Sequence, residues 1–181
     1  KAMGWKEAGT TYSYRHLLEL GWPLDQRPFR LADRFLFRLL SRDADPHLLV
    51  EFQRPAKTDA RLGIWARGLG MQAAACALTP GAHLEDPRLR GAAHCIVSDI
   101  SQYLRSELAA SPFRKAQGKT VLDPAAYPPT VFAVEMLAFM PALQRERAGV
   151  VERLAQYFTT PAPRRAFQVL AGRKLLRPVF E

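Results

Sequence analysis

Arginines recur at every fourth position in one segment of the chain, as Arg30, Arg34, Arg38 and Arg42. On an α-helix with 3.6 residues per turn, this spacing places the four guanidinium groups in a nearly continuous row. Like charges four residues apart repel by roughly 0.2–0.5 kcal/mol per pair, so a compensating anion is expected, with Asp33 offsetting Arg30. We interpret the row as a face for phosphate or an acidic partner. The alternative is a solvated face whose arginine stems cover apolar neighbours.

Two further groups of basic residues lie elsewhere in the sequence. The segment 111–120 has three cations and one aromatic residue but no acid, and residues 145–181 carry more basic than acidic residues. A basic loop suits contacts with a nucleic-acid backbone, and Phe113 or Tyr127 is available to stack on bases. Besides the arginine row, the predicted polyanion-binding residues are Arg114, Lys115, Lys119, Arg164, Arg165, Arg173 and Lys174.

The overall charge favours the same kind of partner. The chain has 26 Lys and Arg residues against 17 Asp and Glu residues, which gives a formal net charge of +9. Such an excess favours nucleic acid, an acidic protein or an anionic membrane surface. An arginine-rich codon bias in an ordinary globular protein is the competing explanation. Peripheral membrane contact through residues 29–40 is the least favoured of the three partners.

Two carboxylates are candidates for catalysis. Glu135 is the only acid in the apolar segment 131–140, and Asp99 borders an apolar helical face. A buried acid must be paired or have its pKa raised, and such a group can act as a general acid or base. The enzyme hypothesis places Glu135 or Asp99 in a pocket lined by Trp65, Tyr103 and Phe139. The simpler interpretation is a structural ion pair with one of the many arginines.

No cofactor or metal ion is predicted. Gly118-Lys119-Thr120 matches the end of a phosphate-binding loop, but the motif requires glycine where Phe113 stands. The Gly68–Ala73 segment matches a dinucleotide fingerprint by letters only, and we interpret it as close helix packing. The two cysteines, Cys76 and Cys95, lack metal-ligand spacing and are expected to be buried free thiols.

Reduced thiols favour a reducing compartment, so a cytoplasmic location is predicted. The longest apolar stretch, residues 130–143, is shorter than the roughly 20 residues that span a bilayer. The chain begins at Lys1 and is expected to be a single domain over residues 1–181, derived from a longer protein. Its oligomeric state is not predicted.

Three Asp-Pro pairs recur about every 40 residues, as Asp45-Pro46, Asp86-Pro87 and Asp123-Pro124. Aspartate is a favoured N-cap and proline fits the first helical turn, so each pair is predicted to begin a helix. Apolar periodicity predicts an all-α chain with 111–129 as a long loop. The predicted helices cover residues 14–20, 29–40, 46–52, 60–78, 87–110, 130–143, 149–158 and 163–173, and 130–143 is expected to be the central buried one.

The segment Asp86-Pro87-Arg88-Leu89-Arg90-Gly91-Ala92-Ala93 resembles the helix opening of HEAT-like repeats. The resemblance implies stacked helix pairs, a rhythm also found in α/α-toroid enzymes. The preferred interpretation is therefore a helical-repeat interaction module that binds a polyanion on a basic face. The alternative is an enzyme, either one lobe of an α/α toroid or a helical-repeat DNA glycosylase.

Overall fold

The computed structural model describes residues 9–41, 57, 59–81, 83–161, 167–171 and 173–176. This part of the chain is mostly helical, with two short antiparallel hairpins. The helices are α1 (Thr10–Glu19), α2 (Arg27–Leu39), α3 (Ala60–Leu78), α4 (Pro87–Leu104), α5 (Glu107–Ala110), α6 (Val131–Ala138), α7 (Pro141–Glu146) and α8 (Ala148–Thr159). The strands are β1 (Phe113–Ala116), β2 (Lys119–Leu122), β3 (Val169–Ala171) and β4 (Lys174–Leu176).

Helix α3 is the centre of the packing. It contacts α1, α2, α4 and α6, and 14 of its 19 residues are buried. Its sequence is rich in alanine and glycine, so neighbouring helices can approach its backbone closely from several sides. Alanine also has the highest helix propensity, which stabilises a helix that is apolar on nearly all its surfaces. The sequence pattern predicted the bounds of α3 correctly, but it assigned the central position to residues 130–143.

The predicted helix over residues 130–143 is divided in the structure. Helix α6 ends at Ala138, and α7 begins at Pro141. Proline has no backbone N–H to donate and disfavours helical geometry in the residue before it, so the first helix ends there. Only part of α6 is buried, since Val134 and Ala138 are exposed, as is Phe139 directly after the helix.

The first hairpin corrects the prediction of an all-α chain with a long loop at 111–129. Strands β1 and β2 pair in the register Phe113 with Leu122 and Ala116 with Lys119. Gln117 and Gly118, which connect them, have φ values of 52° and 73°. Positive φ at both central residues is the geometry of a type I′ turn, whose twist matches that of the two flanking strands.

The second hairpin corrects the predicted helix over residues 163–173. Residues 163–166 and 172 of that prediction lie outside the described residues, whereas Val169–Ala171 form β3, which pairs with β4. Phe167 and Val169 are buried and Gln168 and Leu170 are half-buried, so burial alternates as it does in a strand. The backbone N–H of Leu122 donates to the carbonyl of Gln168 at 2.8 Å, which joins the two hairpins.

The three Asp-Pro pairs are not equivalent. Asp86 caps α4, because its carboxylate accepts a hydrogen bond from the N–H of Arg88 at 2.8 Å. Asp123 accepts from the N–H of Ala125 at 2.8 Å, but residues 123–126 form a turn and no helix follows directly. The pair Asp45-Pro46 and the predicted helix 46–52 lie outside the described residues. Within the described ranges, no helix is long and apolar enough to cross a membrane.

Two glycines should respond oppositely to replacement by alanine. A Cβ atom at Gly91, inside α4, would meet open space, so Gly91→Ala is expected to stabilise the protein by about 0.5–1 kcal/mol. Gly118 has a positive φ that alanine adopts with strain, so Gly118→Ala should destabilise it by about 1 kcal/mol. Urea denaturation of both variants measures the two changes. Equal effects of the same sign would contradict the assigned turn.

Candidate functional site

The arginine row lies on the solvent-facing side of α2. Arg30, Arg34 and Arg38 are exposed, and no carboxylate in the described ranges forms an ion pair with them. We call these three residues the α2 arginine row. Arg42, the fourth member of the predicted set, lies outside the described residues.

Asp33 does not offset Arg30 as expected. Its Oδ1 atom accepts a hydrogen bond from the hydroxyl of Tyr14 at 2.7 Å and lies 3.3 Å from Nε2 of His83. Asp33 is therefore bonded to α1 and lies close to the segment after α3, although it lines the same groove as Arg34 and Arg38. The burial of Tyr14 and its bond to Asp33 raise the pKa of the tyrosine hydroxyl, which keeps it a donor.

A fourth guanidinium group lies beside the row. The Cζ atom of Arg88 is 3.9 Å from the centre of the Phe37 ring, and its Nη2 atom donates to Oδ2 of Asp86 at 2.7 Å. Hydrogen bonds from Arg88, chiefly through its side chain, lower the pKa of Asp86 to about 2. These groups line an open groove formed by Asp33, Arg34, Phe37, Arg38, His83, Asp86 and Arg88.

The predicted basic loop lies far from this groove. Hydrogen bonds from Arg61 are the main cause of the lowered pKa of Asp59, and the charge of Arg114 adds to it, so Arg114 lies near the start of α3. The groove lies beyond the other end of α3, and a 19-residue helix is about 28 Å long. The two basic regions therefore do not form one continuous face.

The side chains of the first hairpin point in different directions. Lys115 pairs with Thr120 and is exposed, whereas Arg114 pairs with the buried Val121. Phe113 packs against Phe167, with 5.2 Å between the ring centres, so it is not free to stack on a base. In the C-terminal group, Arg173 is exposed, Lys174 belongs to β4, and Arg164 and Arg165 lie outside the described residues.

A cavity of about 450 Å³ lies between α3 and α4. Each helix contributes a stripe of residues spaced three and four apart, which places them on one face. The lining from α3 is Ile64, Arg67, Gly68, Met71 and Gln72, and the lining from α4 is Ile96, Asp99, Ile100, Gln102 and Tyr103. Ser106, Leu108, Ala125 and Tyr127 complete the wall.

The cavity holds three of the predicted site residues. Asp99, Tyr103 and Tyr127 line it, whereas Trp65 is fully buried in the core and Phe139 is 44 % exposed elsewhere. Burial raises the pKa of Tyr127 to about 12, and the nearby charges of Arg67 and Asp99 act on it in opposite directions. A positive and a negative group therefore both lie near the Tyr127 ring.

Gly68 belongs to the segment that resembled a dinucleotide fingerprint. A Cβ atom there would lie 3.7 Å from Cε1 of Tyr127, an ordinary van der Waals distance, so the tyrosine ring lies against α3 at Gly68 and an alanine would also fit. Because Tyr127 belongs to no helix, this contact does not test the interpretation of the segment as close helix packing.

Glu135 lies outside the cavity and is paired. It forms an ion pair with Arg15 of α1 and accepts a hydrogen bond from the thiol of Cys76 at 3.0 Å. Burial, followed by the bond to Glu135, raises the pKa of the Cys76 thiol. This geometry matches the structural alternative for Glu135, a carboxylate held between a buried thiol and an arginine.

The sequence interpretation missed Arg67, Gln72 and Arg15. Arg67 and Gln72 continue the α3 stripe through Ile64 and Met71, a pattern visible in the sequence once the partner face of α4 is known. No local signal connects Arg15 with Glu135, because 120 positions separate them. Across the described ranges, no cluster of three or more His, Cys, Asp or Glu residues could hold a metal ion.

Comparisons of the chain with protein-family models, curated proteins and solved structures find no match. The chemistry of the groove and of the cavity is therefore inferred from their own residues.

The two cysteines should differ in reactivity. Iodoacetamide at pH 8 is expected to label Cys95, which is half-buried, much faster than Cys76, which is fully buried with a raised pKa. Mass spectrometry of native protein after a timed reaction measures the difference, and unfolding in guanidinium should make the two rates similar. Rapid labelling of native Cys76 would contradict its place in the core.

Proposed function

We propose that the protein binds a polyanion through the α2 arginine row. The observation that carries this function is the exposure of Arg30, Arg34 and Arg38 along one helix, with no ion pair to a carboxylate in the described ranges. Arg88 extends the positive surface beside Phe37. A bound anion relieves the repulsion among these side chains.

The neighbouring acids offset only part of this charge, because the groove has two acids, Asp33 and Asp86, against the three cations Arg34, Arg38 and Arg88. Asp33 is held by Tyr14 and His83, and Asp86 is held by Arg88. Their carboxylates are thus bonded to these partners and form no ion pair with the α2 arginine row within the described ranges, which leaves the row available to a polyanion.

Nucleic-acid backbone suits the row better than a folded acidic protein. Successive arginines of the row are separated by about 6 Å along the helix axis. A nucleic-acid strand carries one negative charge at every nucleotide, so several arginines of the row can each meet a phosphate. An acidic protein surface has no such regular charge spacing.

The enzyme hypothesis is the second candidate, and it now concerns Asp99 alone. Asp99 shares a cavity with Tyr103 and Tyr127, as that hypothesis requires, whereas Glu135 is engaged with Arg15 and Cys76. The helical-repeat or toroid arrangement also stays a prediction, and polyanion binding by a row on α2 does not require it.

Charge reversal in the row tests the proposed function. The double variant Arg34→Glu/Arg38→Glu is expected to weaken binding of a labelled DNA or RNA oligonucleotide at least tenfold at low salt. Each phosphate contact contributes about −1 to the slope of log K against log salt. Loss of two contacts should therefore make the negative slope shallower by about 2. Fluorescence anisotropy over a salt series measures both quantities.

Two controls make the result specific. Arg34→Lys/Arg38→Lys keeps the charge and should retain most of the affinity. Lys115→Glu/Lys119→Glu makes the same charge change at the distant hairpin and should have a much smaller effect. Loss of binding in the hairpin variant alone would move the site away from α2, and no binding by the unaltered protein at low salt would refute the proposed function.

A further inference from the structure

The cavity between α3 and α4 has the size and lining of a small-molecule site. Its volume of about 450 Å³ lies within the usual range of roughly 300–1,000 Å³ for ligand pockets and equals the space of about 15 water molecules. Met71, Ile96 and Ile100 form a buried apolar floor, whereas Ile64, Asp99 and Gln102 are exposed at the rim. An occupant can therefore enter from solvent and cover apolar surface.

A buried amide group is oriented in the cavity. Gln72 is only 8 % exposed, and its Oε1 atom accepts a hydrogen bond from the hydroxyl of Thr130 at 2.7 Å. With the oxygen engaged, the NH₂ group is the part of Gln72 left for an occupant, and no acceptor among the described residues is bonded to it. The NH₂ nitrogen is not among the enclosed side-chain atoms without a partner, which in the described residues are Arg114 Nε and Arg147 Nε. It therefore reaches the space of the cavity and can donate to a ligand that supplies an acceptor.

Two more donors lie on the same wall. Arg67 is half-buried on the α3 stripe, and its guanidinium group forms no hydrogen bond or ion pair within the described ranges. The hydroxyl of Tyr127 is likewise without a hydrogen bond to a described residue. The donors are the Gln72 amide, the Arg67 guanidinium and the Tyr127 hydroxyl. Together with the apolar floor, they suit a ligand in which an anionic hydrogen-bond acceptor is attached to an apolar body.

Asp99 limits the charge that the cavity accepts. Its carboxylate and the guanidinium of Arg67 both act on Tyr127, so the two charges share one region of the wall. A second negative charge on a ligand would lie close to Asp99 and be repelled, because like charges in a partly desolvated site interact strongly. Among the described lining residues Arg67 is the one cation, so it can pair with one carboxylate but not with two negative charges.

We propose that this cavity binds an organic monocarboxylate with an aromatic or apolar body. The carboxylate meets Arg67 and the amide of Gln72, and the body rests on Met71, Ile96 and Ile100. The site lies on the α3–α4 face and is independent of the α2 arginine row.

Three matched probes test the ligand class by isothermal titration calorimetry. We expect 2-naphthoate to bind with a dissociation constant on the order of 1 mM or below, because the affinity of a ligand is limited by its small number of non-hydrogen atoms. The neutral 2-naphthamide and the dianionic naphthalene-2-phosphonate should each bind at least tenfold more weakly. Equal binding of the acid and the amide would overturn the carboxylate class, and the absence of binding by 2-naphthoate would overturn the site.

Matched variants locate the binding. Arg67→Gln is expected to weaken 2-naphthoate about 10- to 100-fold, the loss of one charge-assisted contact, and to leave 2-naphthamide nearly unchanged. Arg61→Gln removes a guanidinium from the same helix outside the cavity and should change neither. Asp99→Asn should improve the phosphonate more than the carboxylate.

Two substitutions of different size at Gly68 distinguish a blocked cavity from a misfolded protein. At Gly68 a Cβ atom fits beside Tyr127, so Gly68→Ala should keep both the thermal stability and the binding. Gly68→Leu fills the cavity wall and should abolish the binding of 2-naphthoate. If Gly68→Leu melts cooperatively and still binds with unchanged affinity, the probe lies elsewhere and the proposal is wrong.

Discussion

The burial of α3 is the constraint on which the rest of the structure depends. A helix with 14 of 19 residues buried needs neighbours on nearly every side, and α1, α2, α4 and α6 supply them. Burial of apolar surface contributes about 25 cal/mol per Å², so this one helix organises much of the stabilising contact area. Its solvent-facing residues are confined to the N-terminal half, where Ile64, Arg67 and Gly68 meet the cavity.

The electrostatic arrangement follows from the same packing. Acids near the core are held by internal partners, as Glu135 is by Arg15 and Cys76, and Asp33 is by Tyr14. These carboxylates form no ion pair with the α2 arginine row within the described ranges. Two of the basic regions lie near opposite ends of α3, which separates the α2 arginine row from the first hairpin.

The sequence predicted the long helices well and the rest of the fold poorly. Helix α3 was predicted with its bounds because many helix-favouring residues occur together, and Asp86-Pro87 gave a clear start for α4. The single helix predicted over residues 87–110 was wrong at its end, because α4 ends at Leu104 and the separate α5 begins at Glu107. The hairpins were missed because each strand has only three or four residues, too few for alternation to be recognised. Of the candidate site, Asp99, Tyr103 and Tyr127 were identified, whereas the partner of Glu135 could not be, since it depends on tertiary packing.

The contact between α3 and α6 also has a consequence for biosynthesis. Helix α6 ends 60 residues after α3 ends, and the bond between Cys76 and Glu135 joins residues 59 positions apart. At about 5–20 residues per second, a ribosome needs roughly 3–12 s to add that segment. During this interval the nascent chain carries an apolar helix without one of its covering partners, which is the condition under which chaperones bind and aggregation begins.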